Sequence, residues 1–108
     1  MILDGEIVTP DVDGVPCFSR LQQRWPQNRR PSNELLRRVP VRFFVFDVLR
    51  YDGKDITRTP YACRRERLMD IASASSGRVI RFPASWTDVD PTTVLAATAE
   101  LGLEGIVV

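Results

Sequence analysis

The chain is 108 residues long, 44% apolar and 27% charged, with 15 basic against 14 acidic side chains. That composition fits one small domain with a single core, and it provides no global field for holding a polyanion. No apolar run approaches a membrane span and no basic-then-apolar leader opens the chain, so neither a transmembrane segment nor a cleaved signal peptide is expected.

Three shortages narrow the chemistry. There is no histidine, which excludes imidazole acid–base catalysis and histidine-ligated metal from these residues. Two cysteines, Cys17 and Cys63, form no C-x-x-C pair, so a structural zinc site is excluded. They read as two free, largely buried thiols in a reducing cytoplasm. Of the 15 basic residues only Lys54 is lysine, so chemistry that needs several lysines is not complete here.

Met1 to Val8 is a short β-rich run punctuated by Gly5 and stopped by Pro10. The Pro, Asp and Gly residues of 10–16 predict a turn or hairpin loop. Phe18, Leu21, Gln22 and Trp25 recur at helical spacing, and the Pro-bounded stretch 26–31 reads as an exposed loop. Ser32 suits the N-cap of a short helix carrying Leu35, Leu36 and Val39, with Arg37 and Arg38 favourably near its C-terminal end. Pro40 stops it.

The strongest strand pattern follows over 41–49. Plain alternation gives it two mostly apolar faces, Val41, Phe43, Val45, Asp47, Leu49 and Arg42, Phe44, Phe46, Val48. That predicts a central strand covered on both sides. Asp52-Gly53 is a hairpin turn signal. Thr59-Pro60 and Asp90-Pro91 each read as a cap followed by proline at the first helical position. Leu68, Ile71 and Ala72 make the first stripe, ended by Gly77; Val94, Ala97 and Leu101 make the second, ended by Gly102. A strand is expected over 78–82, and another opens at Gly105-Ile106-Val107-Val108, where the pattern looks cut. The expected fold class is mixed α+β, a mainly antiparallel sheet flanked by helices, with a parallel α/β sheet as the second choice.

Asp4 and Glu6, two apart on a strand, share a face and suit a divalent cation or sugar hydroxyls. On spacing alone they read first as a solvated edge-strand face with Gly5 as a turn glycine. Phe43, Phe44 and Phe46 read as core, or as a ring lining a pocket for a flat ligand. Arg64-Arg65-Glu66-Arg67 reads as an exposed helix face, or as a contact for phosphates, and Arg29-Arg30 and Arg37-Arg38 carry the same two readings.

Taken together and in order, these segments resemble the adenylation domain of ATP-dependent DNA ligases, particularly the bacterial end-joining type. Leu3 to Val8 is similar to the family's LDGEIV strand, and Phe18 to Arg24 to its F-x-x-L-Q-x-R segment. Val45-Phe46-Asp47-Val48-Leu49 with Asp52-Gly53 resembles VFDLLYLDG, although Arg50-Tyr51 replaces the usual Tyr-Leu pair. Arg64 to Leu68 is similar to the RRERL helix, and Leu103 to Val108 to LEGIVVK without its lysine.

The resemblance implies nick sealing in double-stranded DNA through lysyl-AMP and DNA-adenylate, using ATP and Mg²⁺ (or Mn²⁺). It implies nucleotide contacts by Glu6, at the ribose or in ordering the site, and by Phe46, stacked on adenine. It implies a metal contact by Glu104. The family's nucleophilic lysine lies in a K-x-D-G-x-R motif upstream of the Asp-Gly-Glu strand, and no such motif occurs among these residues. Lys54 does not supply it, because Ile56 and Thr57 stand where Asp and Gly are needed. The expectation is a single partial adenylation domain over 1–108, cytoplasmic, inactive by itself, with a second copy as a potential partner through an open sheet edge. A non-catalytic nucleic-acid-binding module and an RNA ligase or capping-type nucleotidyltransferase are the alternatives.

Overall fold

A computed structural model describes residues 1–24, 30–103 and 105–106. In chain order the elements are β1 (Ile2–Val8), α1 (Phe18–Gln22), α2 (Asn33–Arg38), β2 (Arg42–Tyr51), β3 (Lys54–Asp55), α3 (Tyr61–Ala74), β4 (Ile80–Arg81) and α4 (Pro91–Glu100). They fall into two units, Met1–Val8 with Val41–Pro83, and Thr9–Pro40 with Ala84–Val108.

The first unit is built on β2, the apolar run after Pro40. β1 pairs with it antiparallel, β3 returns on it antiparallel, and β4 joins it in parallel. The sheet is therefore mixed and mainly antiparallel, as the sequence leads one to expect. The β2–β3 turn is made by Asp52 (φ 52°) and Gly53 (φ 74°), two successive left-handed residues of the kind an Asp-Gly hairpin requires.

The core of this unit is Val45, Val48 and Leu68, packed round by Leu3, Phe43, Tyr51, Ile56, Ile71 and Phe82. Its spacing corrects the expectation of plain alternation along β2. Phe43, Val45, Val48 and Tyr51 join one cluster, yet Val45 and Val48 are three apart and would lie on opposite faces of a regular strand. The register against β1 explains it. Asp4 pairs with Asp47 but Gly5 with Val45, which leaves Phe46 without a partner on β1. Ile2 pairs with Arg50 but Leu3 with Val48, which does the same to Leu49. Each extra residue resets the pleat, as a bulge does, and returns the next apolar residue to the same face.

Gly5 is a strand residue, not a turn. A Cβ there would run into the carbonyl oxygen of Phe44 and come within 2.8 Å of Cε2 of Phe43. The absent side chain lets β1 approach β2 closely beside the first register shift.

Helix α3 covers the core side of β2. It begins one residue later than Thr59-Pro60 suggests: Pro60 is the N-cap, with ψ 143°, and Tyr61 opens the helix. It also ends before Gly77, with Ser75 as C-cap.

In the second unit, a bridge joins Pro10 to Pro16, and the Asp11 carboxylate accepts from the backbone N–H groups of Asp13 (2.8 Å) and Val15 (3.0 Å). This confirms the expected turn. Ser32 caps α2 by accepting from the N–H of Leu35 at 3.2 Å, and Leu35 and Val39 are buried. Carbonyls at the other end of α2 are met by arginines from α1 and just beyond it. Arg20 donates to the carbonyl of Arg38 (2.7 Å) and Arg24 to that of Val39 (3.0 Å). Asp90 caps α4 through the N–H of Thr92 at 3.1 Å, with Pro91 at the first helical position, and Gly102 beyond its end has φ 74°. Gly105 and Ile106 lie in no strand; Val107 and Val108 are outside the described residues, as are Trp25 and most of the expected 26–31 loop.

Both cysteines are free, as expected, but Cys63 is exposed rather than buried. Among the described residues no helix is long and apolar enough to cross a membrane.

Candidate nucleotide-binding site

Asp4 and Glu6 are both exposed on β1, alternating with the more covered Leu3 and Gly5, so the pair shares a face as its spacing implies. Glu6 lies opposite Phe44 on β2. Phe46, two residues further along β2, is the residue left out of the β1 pairing, and it is half-buried. The sheet therefore brings an open carboxylate and a partly open aromatic ring onto paired strands. Glu104 lies outside the described residues.

Helix α3 grips β2 at two adjoining points, the Asp47 side chain and the Phe46 carbonyl. Arg64 meets Asp47 in a two-toothed ion pair, Nε to Oδ1 at 2.8 Å and Nη2 to Oδ2 at 3.0 Å. Its remaining nitrogen, Nη1, donates to the carbonyls of Thr59 (2.6 Å) and Thr57 (3.3 Å) at the helix entry. Asp47 Oδ1 also accepts from the N–H of Val48 at 2.8 Å. The Arg64 guanidinium, chiefly, holds the Asp47 carboxyl below the usual aspartate range, and the same bond raises Arg64. Arg65 is buried and donates to the carbonyls of Phe46 and Pro83, each at 3.0 Å.

This corrects the reading of Arg64-Arg65-Glu66-Arg67 as an exposed face. Glu66 and Arg67 are exposed, and Arg67 lies over the Tyr51 ring at 5.4 Å. Arg64 and Arg65 instead turn to β2. The signal was in the sequence: Arg64 and Arg65 stand four and three residues before Leu68, on the side of the helix that carries the apolar stripe. Composition masked it, because paired arginines usually mark a solvated surface.

Among the described residues no group of three or more acidic, cysteine or histidine residues is gathered that could hold a metal ion. Asp4 and Glu6 alone make a thin oxygen donor set, so the fit of a divalent cation turns on Glu104. An adenine nucleotide fits what is described: a half-open phenyl ring and an exposed carboxylate on the neighbouring strand suit a base and a sugar hydroxyl. A depression of about 470 Å³ does exist, lined by Ile56, Thr59, Cys63, Arg64, Glu66, Arg67 and Asp70, and includes neither Glu6 nor Phe46. Lys54 is exposed on β3, as its place beside the Asp-Gly turn leads one to expect.

The family profile described as ATP dependent DNA ligase domain matches residues 1–108. The chain belongs to this family. It is 30% identical over 105 residues to the multifunctional non-homologous end joining protein LigD of Pseudomonas aeruginosa, covering 97% of this chain and 11% of that protein. It is 35% identical over 112 residues to the DNA ligase of Aeropyrum pernix, covering 99% of this chain and 18% of the relative. The crystal structure of the ligase domain of M. tuberculosis LigD superposes with a TM-score of 0.73 at 33% identity, over 95% of this chain and 29% of that one. A mycobacterial DNA ligase D solved in complex with ATP and MES gives the same score, identity and coverage. The chain thus spans a minor part of each relative. Its family is that of the ATP-dependent DNA ligase nucleotidyltransferase domain, and its mixed, mainly antiparallel fold agrees with that family.

Proposed function

We propose that these residues form one wall of the nucleotide site in the adenylation domain of a DNA ligase that seals nicks in duplex DNA. The observation that carries the reading is the β1–β2 register. It sets the exposed Glu6 carboxylate and the bulged, half-buried Phe46 ring on paired strands of a chain that matches the ligase family throughout.

In this reading the Phe46 ring stacks on adenine, a contact open to any flat π face. Glu6 accepts hydrogen bonds from the ribose hydroxyls, which a carboxylate does with both oxygens. Glu104 offers a hard oxygen to Mg²⁺, or to Mn²⁺ in its place. The divalent ion, when bound, neutralises charge on the phosphate oxygens. This chain's own part is to bind and orient. Lys54 stays in solvent on its hairpin and takes no part, so the 108 residues by themselves carry out neither self-adenylation nor sealing. The two free thiols support a reducing, cytoplasmic setting.

Two measurements on the chain test this. Intact mass after incubation with ATP and Mg²⁺ is expected to show no added AMP; an adduct would overturn the assignment of the nucleophile to another segment. ATP titration is expected to show binding that Phe46→Ala weakens by about 5- to 100-fold, the span of one lost base stack. Equal binding by Phe46→Ala would overturn the stacking role.

A further inference from the structure

β2 is incompletely flanked on the side away from β1. β4 pairs with it at Phe43 and Phe44, and β3 at Arg50 and Tyr51. Phe46 lies in the interval between them, and it is also the residue that β1 skips. Among the described residues Phe46 thus has no partner residue in the register of β1, β3 or β4. Arg65 reaches into this interval from α3. Through Nη1 and Nη2 it joins the Phe46 carbonyl to that of Pro83, just beyond β4.

We propose that Arg65 is a positioning residue for nucleotide binding: it fixes the bulged Phe46 peptide, and thereby the place of the Phe46 ring. The proposal rests on the reading of Phe46 as the adenine platform.

Packing alone does not account for an arginine at this position. Burying a guanidinium is costly, and apolar side chains of similar volume often replace buried charged groups with little loss of stability. Arg65 is nonetheless only 8% exposed, and its Nε is buried with no partner among the described residues. The nearby carboxylate of Asp47 is bonded to Arg64. What Arg65 receives for its burial is the attraction of the nearby Asp47 carboxylate and two backbone carbonyls, one of them that of Phe46. A planar fork can hold two acceptors at a fixed angle, which a lysine's point charge cannot.

The test uses Arg65→Lys, Arg65→Gln, Phe46→Ala and the Lys–Ala double variant, each first checked for folding by circular dichroism. ATP affinity is expected to fall by about 5- to 100-fold in Arg65→Lys, and the double variant to bind no more weakly than Phe46→Ala alone. Affinity for inorganic triphosphate, which has no base, is expected to stay unchanged. Losses that simply add in the double variant, or ATP binding by a folded Arg65→Lys equal to wild type, would overturn the role of Arg65 and leave the platform standing. Phe46→Ala binding ATP as wild type does would overturn the platform, and the proposal with it. A further measurement needs no nucleotide. The NOEs of the Phe46 ring are expected to redistribute in Arg65→Lys or Arg65→Gln, whichever folds, while those of Phe43 persist. Unchanged Phe46 NOEs in the folded variant would overturn the positioning role whether or not the chain binds ATP.

Discussion

Asp47 and Arg64 illustrate how much one contact at the residue scale can do. The pair joins β2 to the first turns of α3, and Arg64 also holds two carbonyls of the segment leading into that helix. Because Asp47 titrates below its ordinary value of 3.8 in the folded chain, its stabilising effect is complete above that value and is lost as pH falls through the depressed one. The melting midpoint of Asp47→Asn is therefore expected to lie below wild type at neutral pH, with the gap closing in acid. A gap that stays constant down to strongly acidic pH would contradict this. Gly5 is the second sensitive residue. A methyl group there meets the backbone of Phe44, which cannot swing aside as a side-chain tip can. Gly5→Ala is expected to cost about 1–3 kcal/mol in denaturant unfolding, the range of overpacking. A neutral result would mean that β1 pairs less closely than the register indicates.

At the scale of elements, capping and turn chemistry was legible from residues alone. Ser32, Asp90-Pro91, Asp52-Gly53 and the 10–16 turn act as local rules require, because each satisfies its backbone within a few residues. The interior of β2 was not legible in the same way. Alternation is read from a single strand, whereas a bulge is a property of a pair, and nothing inside 41–49 says where β1 will skip. The candidate site divides similarly. Glu6 and Phe46 were found through motif resemblance, whereas the inward turn of Arg64 and Arg65, on the face of α3 that meets the sheet, was marked only by their spacing from Leu68, a signal that the arginine pairing masked. The importance of that face can be measured. Leu68 is 1% exposed and shares the core cluster with Val45 and Val48. Leu68→Ala is expected to cost about 2–5 kcal/mol, whereas the exposed Met69 next to it should tolerate alanine with little loss.

For the whole molecule, the sheet raises the question of its open side. Among the described residues β1 pairs only with β2, so its other edge carries unpaired backbone groups along Ile2–Val8. Exposed Ile2 and Ile7 add apolar surface to that strand. Such an edge is a template for another strand. A second copy of the chain is the expected occupant, and light scattering at rising concentration should show a dimer; a monodisperse monomer throughout would count against it. Replacing Ile7 with lysine, a common device for blunting an edge, should shift that equilibrium toward monomer.

The skipped residue at Phe46 can also be regarded as an insertion. Take Phe46 out, and Val45 and Val48 become next-but-one neighbours, which a plain pleat already places on one face. The strand's own packing therefore has no use for an additional residue at this point. A polypeptide that carries one must crowd it between two core valines and spend a buried arginine on holding its peptide. What the insertion provides is a ring free of the alternation that governs every residue around it, able to face outward without giving up a core position. On the proposed reading, fold and ligand make separate demands on the same few residues, and a shift of the pleat by a single residue meets both.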